Sequence, residues 1–174
     1  MADRKKILFL TSRIPYPLEK GDKLRAYHQM RHFSKSHEVH LCVVSNKALT
    51  DEAEKELLKI CTGVHVYQSK MLSVVVNMVV SFFAGLPFQV GYFFNSGAHY
   101  FVKQVIKKIN PDHIFVQLLR MAEYVKDVKG IPKTIDYMDS FSMGIKRRKE
   151  NSTGLKKAVF QMEATRLEKY EEMI

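Results

Sequence analysis

The chain has 174 residues, 46% hydrophobic and 26% charged, a composition that excludes global disorder. Its length makes about one domain, which hides roughly 70% of the unfolded surface. Lysine and arginine number 28 against 18 acidic residues, a net charge of +10, so the favoured partners are anionic: phosphates, nucleic acid or a membrane surface.

The apolar run 7–10 predicts a strand buried on both faces. Residues 11–22 form a loop with Pro15, Pro17 and Gly21. A helix is expected from Asp22, taken as its N-cap, with Leu24, Tyr27, Met30 and Phe33 on one side and its end at 34–37. Residues 39–44 predict a second buried strand. An acidic helix starts at 50–54, where Asp51 and Glu54 have capping-box spacing. Leu57, Leu58 and Cys61 supply its apolar face, and Gly63 stops it. Residues 64–67 predict a third strand. This alternation implies a parallel sheet with helical crossovers.

The apolar stretch 71–88 is interrupted by Ser73, Asn77 and Ser81 and broken by Gly85 and Pro87. A membrane span needs about 20 predominantly apolar residues. A buried core helix and a peripheral membrane contact both fit the stretch better than a span. Ser96 caps a helix to Ile109, which Asn110-Pro111 ends. Residues 113–117 predict a fourth strand, 121–125 a short helix ending near Gly130, and 133–137 a fifth strand. The segment 142–154 is basic and polar, with Lys146-Arg147-Arg148-Lys149 at its centre. That cluster reads as a solvated linker, or as a phosphate or lipid contact. Residues 155–174 are helical, with Phe160, Leu167, Tyr170 and Ile174 in one seam.

The expected architecture is α/β: residues 1–141 form a parallel sheet with helices on both faces. Residues 142–174 are a basic segment and a helix leading towards a second domain. No Gly or Pro stop precedes Ile174, so the natural polypeptide is expected to continue. Cys42 and Cys61 lack C-x-x-C spacing and suit free thiols in a reducing cytoplasm. The four apolar residues after the basic start are too few for a secretory signal.

The loop after the first strand carries Gly21-Asp22-Lys23 into a helix, where doubly wound sheets bind ligands. Glycine lets backbone approach a ligand, and a helix N-terminus favours an anion. An ordinary turn with Asp22 as cap explains the same three residues. Neither G-x-G-x-x-G nor a P-loop is present, so a nicotinamide dehydrogenase or P-loop enzyme has no support. Arg13, Lys20, Lys23 and Arg25 make the loop cationic, which suits a phosphate- or sugar-handling role or a solvated loop. His28 and His32 share a helix face but lack the glutamate of H-E-x-x-H, and no metal site is assigned. Asp136, Asp139 and Ser140 follow the fifth strand, either facing the same cleft or capping a helix. Basic residues interleaved with aromatics, the mark of a nucleic-acid surface, are lacking, so no nucleic acid is expected as partner.

The segment Leu8-Phe9-Leu10-Thr11-Ser12-Arg13-Ile14-Pro15-Tyr16-Pro17, followed by Lys20-Gly21-Asp22-Lys23-Leu24-Arg25-Ala26-Tyr27-His28, resembles the start of bacterial sugar transferases of glycosyltransferase family 4. It most resembles the branch found in exopolysaccharide loci. His37-Glu38-Val39-His40-Leu41, Gly85-Leu86-Pro87-Phe88-Gln89-Val90, Asp136-Tyr137-Met138-Asp139-Ser140 and the run from Glu163 to Glu171 follow in the matching order.

The resemblance implies the N-terminal, acceptor-side half of a GT-B enzyme, in which two Rossmann-like domains face each other across a cleft. It implies transfer with retention from a nucleotide-sugar donor to a glycan or lipid-linked acceptor, without metal or other cofactor. It also implies a cytoplasmic enzyme touching the inner face of an anionic membrane. The donor site and its E-x₇-E motif belong to the C-terminal half, so this chain alone is expected to be inactive. Gly21, Asp22 and Lys23 match the family loop that nears the donor phosphates. Arg25 matches the helix start below it, and Asp136, Asp139 and Ser140 match the acceptor side. Where the family often has a histidine, after the fourth or fifth strand, this sequence carries Gln117 and Asp136. Arg13 completes the expected substrate-binding set. The alternative from another class is a non-enzymatic basic module docking on anionic lipid or a protein partner.

Overall fold

Apolar runs separated by amphipathic stretches build five parallel strands in the order β3-β2-β1-β4-β5. The computed structural model describes residues 4–69, 83, 85–137 and 141–174. The strands are β1 (Lys6–Thr11), β2 (Glu38–Ser45), β3 (Gly63–Gln68), β4 (His113–Gln117) and β5 (Lys133–Asp136). The helices are α1 (Gly21–Phe33), α2 (Asp51–Leu58), α3 (Phe88–Phe93), α4 (Ser96–Ile109), α5 (Phe141–Glu150) and α6 (Gly154–Met173). A 3-10 helix spans Leu119–Tyr124. The fold is Rossmann-like, an all-parallel sheet flanked by helices.

Successive side chains of a strand point to opposite faces. Ile7 and Phe9 therefore join Val39, Leu41 and Val43 on one face, under Ala26 and Met30 of α1 and Leu57 of α2. Leu8 and Leu10 join Cys42, Val44, Ile114 and Val116 on the other, under Val102, Val105 and Ile109 of α4. Burial on both faces is why β1 reads as an unbroken apolar run, and β2 likewise from Leu41 to Val44, rather than as alternating ones. Phe9 stacks on Phe115 with ring centroids 4.6 Å apart. A third cluster, Val90, Leu119, Ile145, Ala164, Leu167 and Tyr170, fastens the α5–α6 pair beside the sheet.

Several local expectations are corrected. Asp22 is not the N-cap of α1. Lys20 occupies that position, and the Asp22 carboxylate is drawn to Arg13. Leu24 is exposed, and Lys23, Ala26 and Met30 form the buried positions of α1. Thr50 rather than Asp51 caps α2, accepting the Ala53 N–H at 3.3 Å. Leu58 is exposed, and Gly63 opens β3 instead of merely stopping α2. Asn95 caps α4 by accepting from Ala98 N at 2.9 Å, one residue before the expected Ser96. At the other end of α4 the left-handed Asn110, φ 49°, precedes Pro111. The basic run 146–149 is not a linker: it lies within α5, and Lys146 is ion-paired to Glu168 of α6. The stretch 71–82 and residues 84, 139 and 140 lie outside the described residues, and with them the apolar segment and the roles given to Asp139 and Ser140.

Candidate functional site

β1 lies between β2 and β4, so the chain first builds the sheet to one side of β1 and later returns to the other. In open parallel sheets ligands bind at such a reversal, outside the carboxyl ends of the strands. In the registers of this sheet, Thr11 pairs with Val43, Leu10 with Val116 and Gln117 with Asp136, which aligns those ends.

Beyond Thr11 the loop is held inward by its own side chains: Thr11 Oγ1 donates to Arg13 O at 2.9 Å, and Ser12 and Ile14 are buried. Arg13 reaches Asp22 Oδ2 at 2.6 Å from the first turn of α1. Gln117, at the tip of β4, donates its amide to Asp22 O at 2.6 Å. After Gln117 the chain turns sharply at Leu118, with φ 70° and ψ 139°, a conformation that leucine rarely adopts. That turn brings Arg120 back to the crevice. Its Nε donates to Ser12 Oγ at 3.0 Å, a terminal nitrogen lies 3.8 Å from Asp22, and its guanidinium covers the Phe93 ring at 4.1 Å.

Arg120 is only 8% exposed. Burial, assisted by the neighbouring charge of Arg13, lowers its pKa to about 10, while Asp22 opposes the shift. The group remains a cation at neutral pH. The wall behind it is fixed by Tyr124, whose hydroxyl accepts from Asn95 N at 3.0 Å and donates to Phe93 O at 2.5 Å. Burial pushes the Tyr124 pKa up, so this phenol stays a donor.

A second pair stands beside the first. Asp136 accepts from Arg25 Nε at 2.7 Å, from its terminal nitrogen at 2.9 Å and from Gln29 Nε2 at 2.8 Å. This is a bidentate clamp between α1 and the end of β5, strengthened by charge. Leu118 N also donates to Asp136 O at 2.8 Å, which joins the two networks at β4. Asp22 and Asp136, the described two of the three carboxylates expected at this edge, are thus engaged by arginines. That arrangement suits fixed acceptors that position cations better than a pair of carboxyl groups sharing acid–base work.

The structure brings Arg13, Asp22 and Gln117 into one network and sets Arg25 and Asp136 next to it. The Lys23 backbone N–H donates to Asp22 Oδ1 at 3.1 Å, but its side chain belongs to neither network. Its ammonium turns into the loop, 3.2 Å from Pro17 O and 3.8 Å from Glu19. Gly21 is exposed, and a side chain there would meet nothing within 4 Å. Two cavities flank Arg13. One of about 150 Å³ is lined by Ser12, Ser45, Asn46, Tyr92 and Asn95. The other, about 250 Å³, lies under the loop by Tyr16, Lys20, Lys23 and Thr50.

Arg120, Ser12 and Phe93 were not expected in the site. The only sequence trace of Arg120 is a lone cation inside Leu118-Leu119-Arg120-Met121-Ala122, directly after a strand. Among the described residues no group of three or more His, Cys, Asp or Glu side chains could hold a metal ion. Among the same residues no helix is long and apolar enough to cross a membrane. No family model matches the chain, and no curated protein matches it in sequence. The fold by itself hosts many chemistries, so function is argued from the site.

Proposed function

We propose that this chain is the acceptor-side domain of a retaining GT-B glycosyltransferase. It would help move a sugar from a nucleotide-sugar donor to a glycan or lipid-linked acceptor at the cytoplasmic face of the membrane. The observation that carries the reading is the cationic crevice at the switch point, where Arg13 and Arg120 stand beside the exposed start of α1 at Gly21. The resemblance of residues 8–28 to that family supports the reading, because the family loop would fall on the same segment.

The chemistry follows from charge. When a glycosidic bond to a nucleotide diphosphate breaks, negative charge grows on the leaving phosphate. Preorganised donors facing that charge lower the barrier. In this reading the first amides of α1 and the half-exposed guanidinium of Arg13 would be such donors. Gln117 pins the first turn of α1 through Asp22 O, and Asp22 holds Arg13 in its rotamer. These are positioning roles. The donor-binding half would supply the remaining cations.

The test is the native polypeptide that carries this sequence, assayed with labelled nucleotide sugars and membrane or glycan extracts. Gly21→Val should cut transfer at least tenfold with an unchanged thermal midpoint, because the added side chain meets open space in the fold. Full turnover in that variant would remove Gly21 from the site. No transfer from any nucleotide sugar, in a polypeptide without a second Rossmann-like domain, would end the enzyme reading.

One feature favours a second reading, a basic docking module. Arg147 and Arg148 of α5 are exposed, as are Lys156 and Lys157 of α6, beside Leu155 at 82% exposure. Such a surface suits anionic lipid. Flotation with phosphatidylglycerol vesicles should fall when Lys146, Arg147, Arg148 and Lys149 are changed to glutamine. Unchanged flotation would dismiss the surface as a lipid contact.

A further inference from the structure

The loop after β1 and the loop after β2 enclose the cavity of about 250 Å³ under Tyr16. Its walls are held by their own hydrogen bonds. Lys47 N donates to Ser45 Oγ at 3.1 Å, and Thr50 caps α2. The Tyr16 hydroxyl donates to Glu52 Oε1 at 3.1 Å, which ties the first loop to α2.

The charge of the lining is one-sided. Arg13, Lys20, Lys23 and Lys47 line the cavity against the single carboxylate of Glu19. Lys20 and Lys47 are exposed, as lysines usually are. Lys23 is not: its side chain is only 10% exposed. Its Nζ donates to Pro17 O at 3.2 Å, and Glu19, at 3.8 Å, is too far for a hydrogen bond. An ammonium carries three hydrogens, so two of them have no acceptor among the described residues. A buried charge is costly unless it is paired and hydrogen-bonded. The partner that the fold does not supply is an anion with several acceptor oxygens. Thr50 and Ala53 put the start of α2 on the same wall, where the helix dipole favours negative charge. Asp51, Glu52 and Glu54 in its first turn oppose this, but none of the three lines the cavity.

We propose that this cavity is a diphosphate site, with Lys23 as the buried anchor and Lys20 and Lys47 facing the anion from the rim. Ser45 Oγ accepts from Lys47 N and keeps its own hydrogen to donate. Three ammonium groups exceed the charge of one phosphate, about −2, which favours two linked phosphates. The volume lies below the roughly 300–1,000 Å³ of sites for drug-sized ligands, so it suits a diphosphate better than a whole nucleotide. Gly21, Asp22 and Arg120 do not line the cavity, and Arg13, the cation shared with the crevice, is engaged by Asp22. The site is therefore separate from the crevice and does not depend on the glycosyltransferase reading. A soluble diphosphate and a lipid that carries one offer it the same oxygens.

The experiment titrates inorganic diphosphate into the 174-residue chain by calorimetry at low salt, with amide shifts followed by NMR. One equivalent should bind and move the amides of Lys47, Thr50 and Ala53, with affinity falling as salt rises. Lys23→Met should weaken binding at least tenfold. Lys47→Glu should do the same from an exposed position, and it decides the matter if Lys23→Met unfolds the chain. Lys107→Gln/Lys108→Gln, in the last turn of α4, makes the same change in net charge and should leave binding as it was. Farnesyl diphosphate in mild detergent separates the sources: tenfold tighter binding than the inorganic ion identifies a lipid, and equal binding a soluble ligand. No saturable binding, equal weakening by the Lys47 and Lys107/Lys108 variants, or shifts confined to Gly21 and Arg120 would overturn the site.

Discussion

Arg120 Nε donates to the Ser12 hydroxyl at 3.0 Å, joining residues 108 positions apart in the chain. The same guanidinium covers Phe93 and faces Asp22. Arg120→Met should therefore cost about 2 kcal/mol, because Ser12 loses a buried charged donor and Asp22 a neighbouring positive charge. Arg120→Lys should recover little of it, since an ammonium cannot bond Ser12 and lie flat on the ring at once. Urea unfolding of the three proteins decides the point. Full recovery by lysine would mean that charge alone matters there.

The Arg25–Asp136 clamp should be asymmetric. Arg25 has a half-exposed side chain, whereas that of Asp136 is 9% exposed. Arg25→Ala should cost under about 1 kcal/mol, as exposed partners usually do. Asp136→Ala removes the acceptor of both Arg25 and Gln29 and should cost about 1–2 kcal/mol. Equal losses in denaturant midpoint would contradict this ranking.

Cys42 and Cys61 are buried, and burial pushes both thiols up to about 12. At about pH 8 the thiolate fraction is then on the order of 10⁻⁴. Neither should react with a disulfide reagent over an hour in the native protein, and both should react at once in denaturant. Rapid native labelling would place at least one sulfur at the surface.

His65, His99 and His113 all have pKa values lowered from 6.5, with burial as the main cause. In each case the unfolded chain takes up its proton at higher pH than the folded one. Their contribution is complete above about pH 6.5 and is lost as pH falls from there through the lower folded-state values. The urea midpoint should drop between about pH 7.5 and pH 5.5, and less so in a His65→Gln/His99→Gln variant. A pH-independent midpoint would show these rings to be freely protonated in the fold.

The strands were legible because β1, β2 and β4 lie between two helical layers and are centred on apolar runs, Ile7 to Leu10, Leu41 to Val44 and Ile114 to Val116. Helix α4 was legible because Asn110-Pro111 ends it by backbone geometry. Two caps precede the expected residues: α1 is capped at Lys20, two positions before Asp22, whose carboxylate is drawn to Arg13, and α2 at Thr50, one position before Asp51. Composition marked 146–149 as solvated, which is correct for Arg147 and Arg148, but solvation does not distinguish a helix from a linker. Within the site, Arg13, Asp22 and Gln117 could be placed by strand ends alone. Arg120 could not, because its burial is created by Ser12, Asp22 and Phe93 from three other segments. The contact between the His40 and His65 rings was not legible either, because it arises only from the β2–β3 register.

Leu118 reverses the usual mutational rule. A leucine with φ 70° and ψ 139° sits in territory that only glycine occupies freely, at about 1–3 kcal/mol. Its side chain is 6% exposed, and its burial returns about 1.5–3 kcal/mol. The two terms nearly cancel. Leu118→Gly, which elsewhere in a core would be ruinous, should leave the melting point almost where it was. A library sorted only for stability would therefore let position 118 drift. One sorted for the geometry of the crevice, whose Arg120 hangs two residues beyond this corner, would hold it.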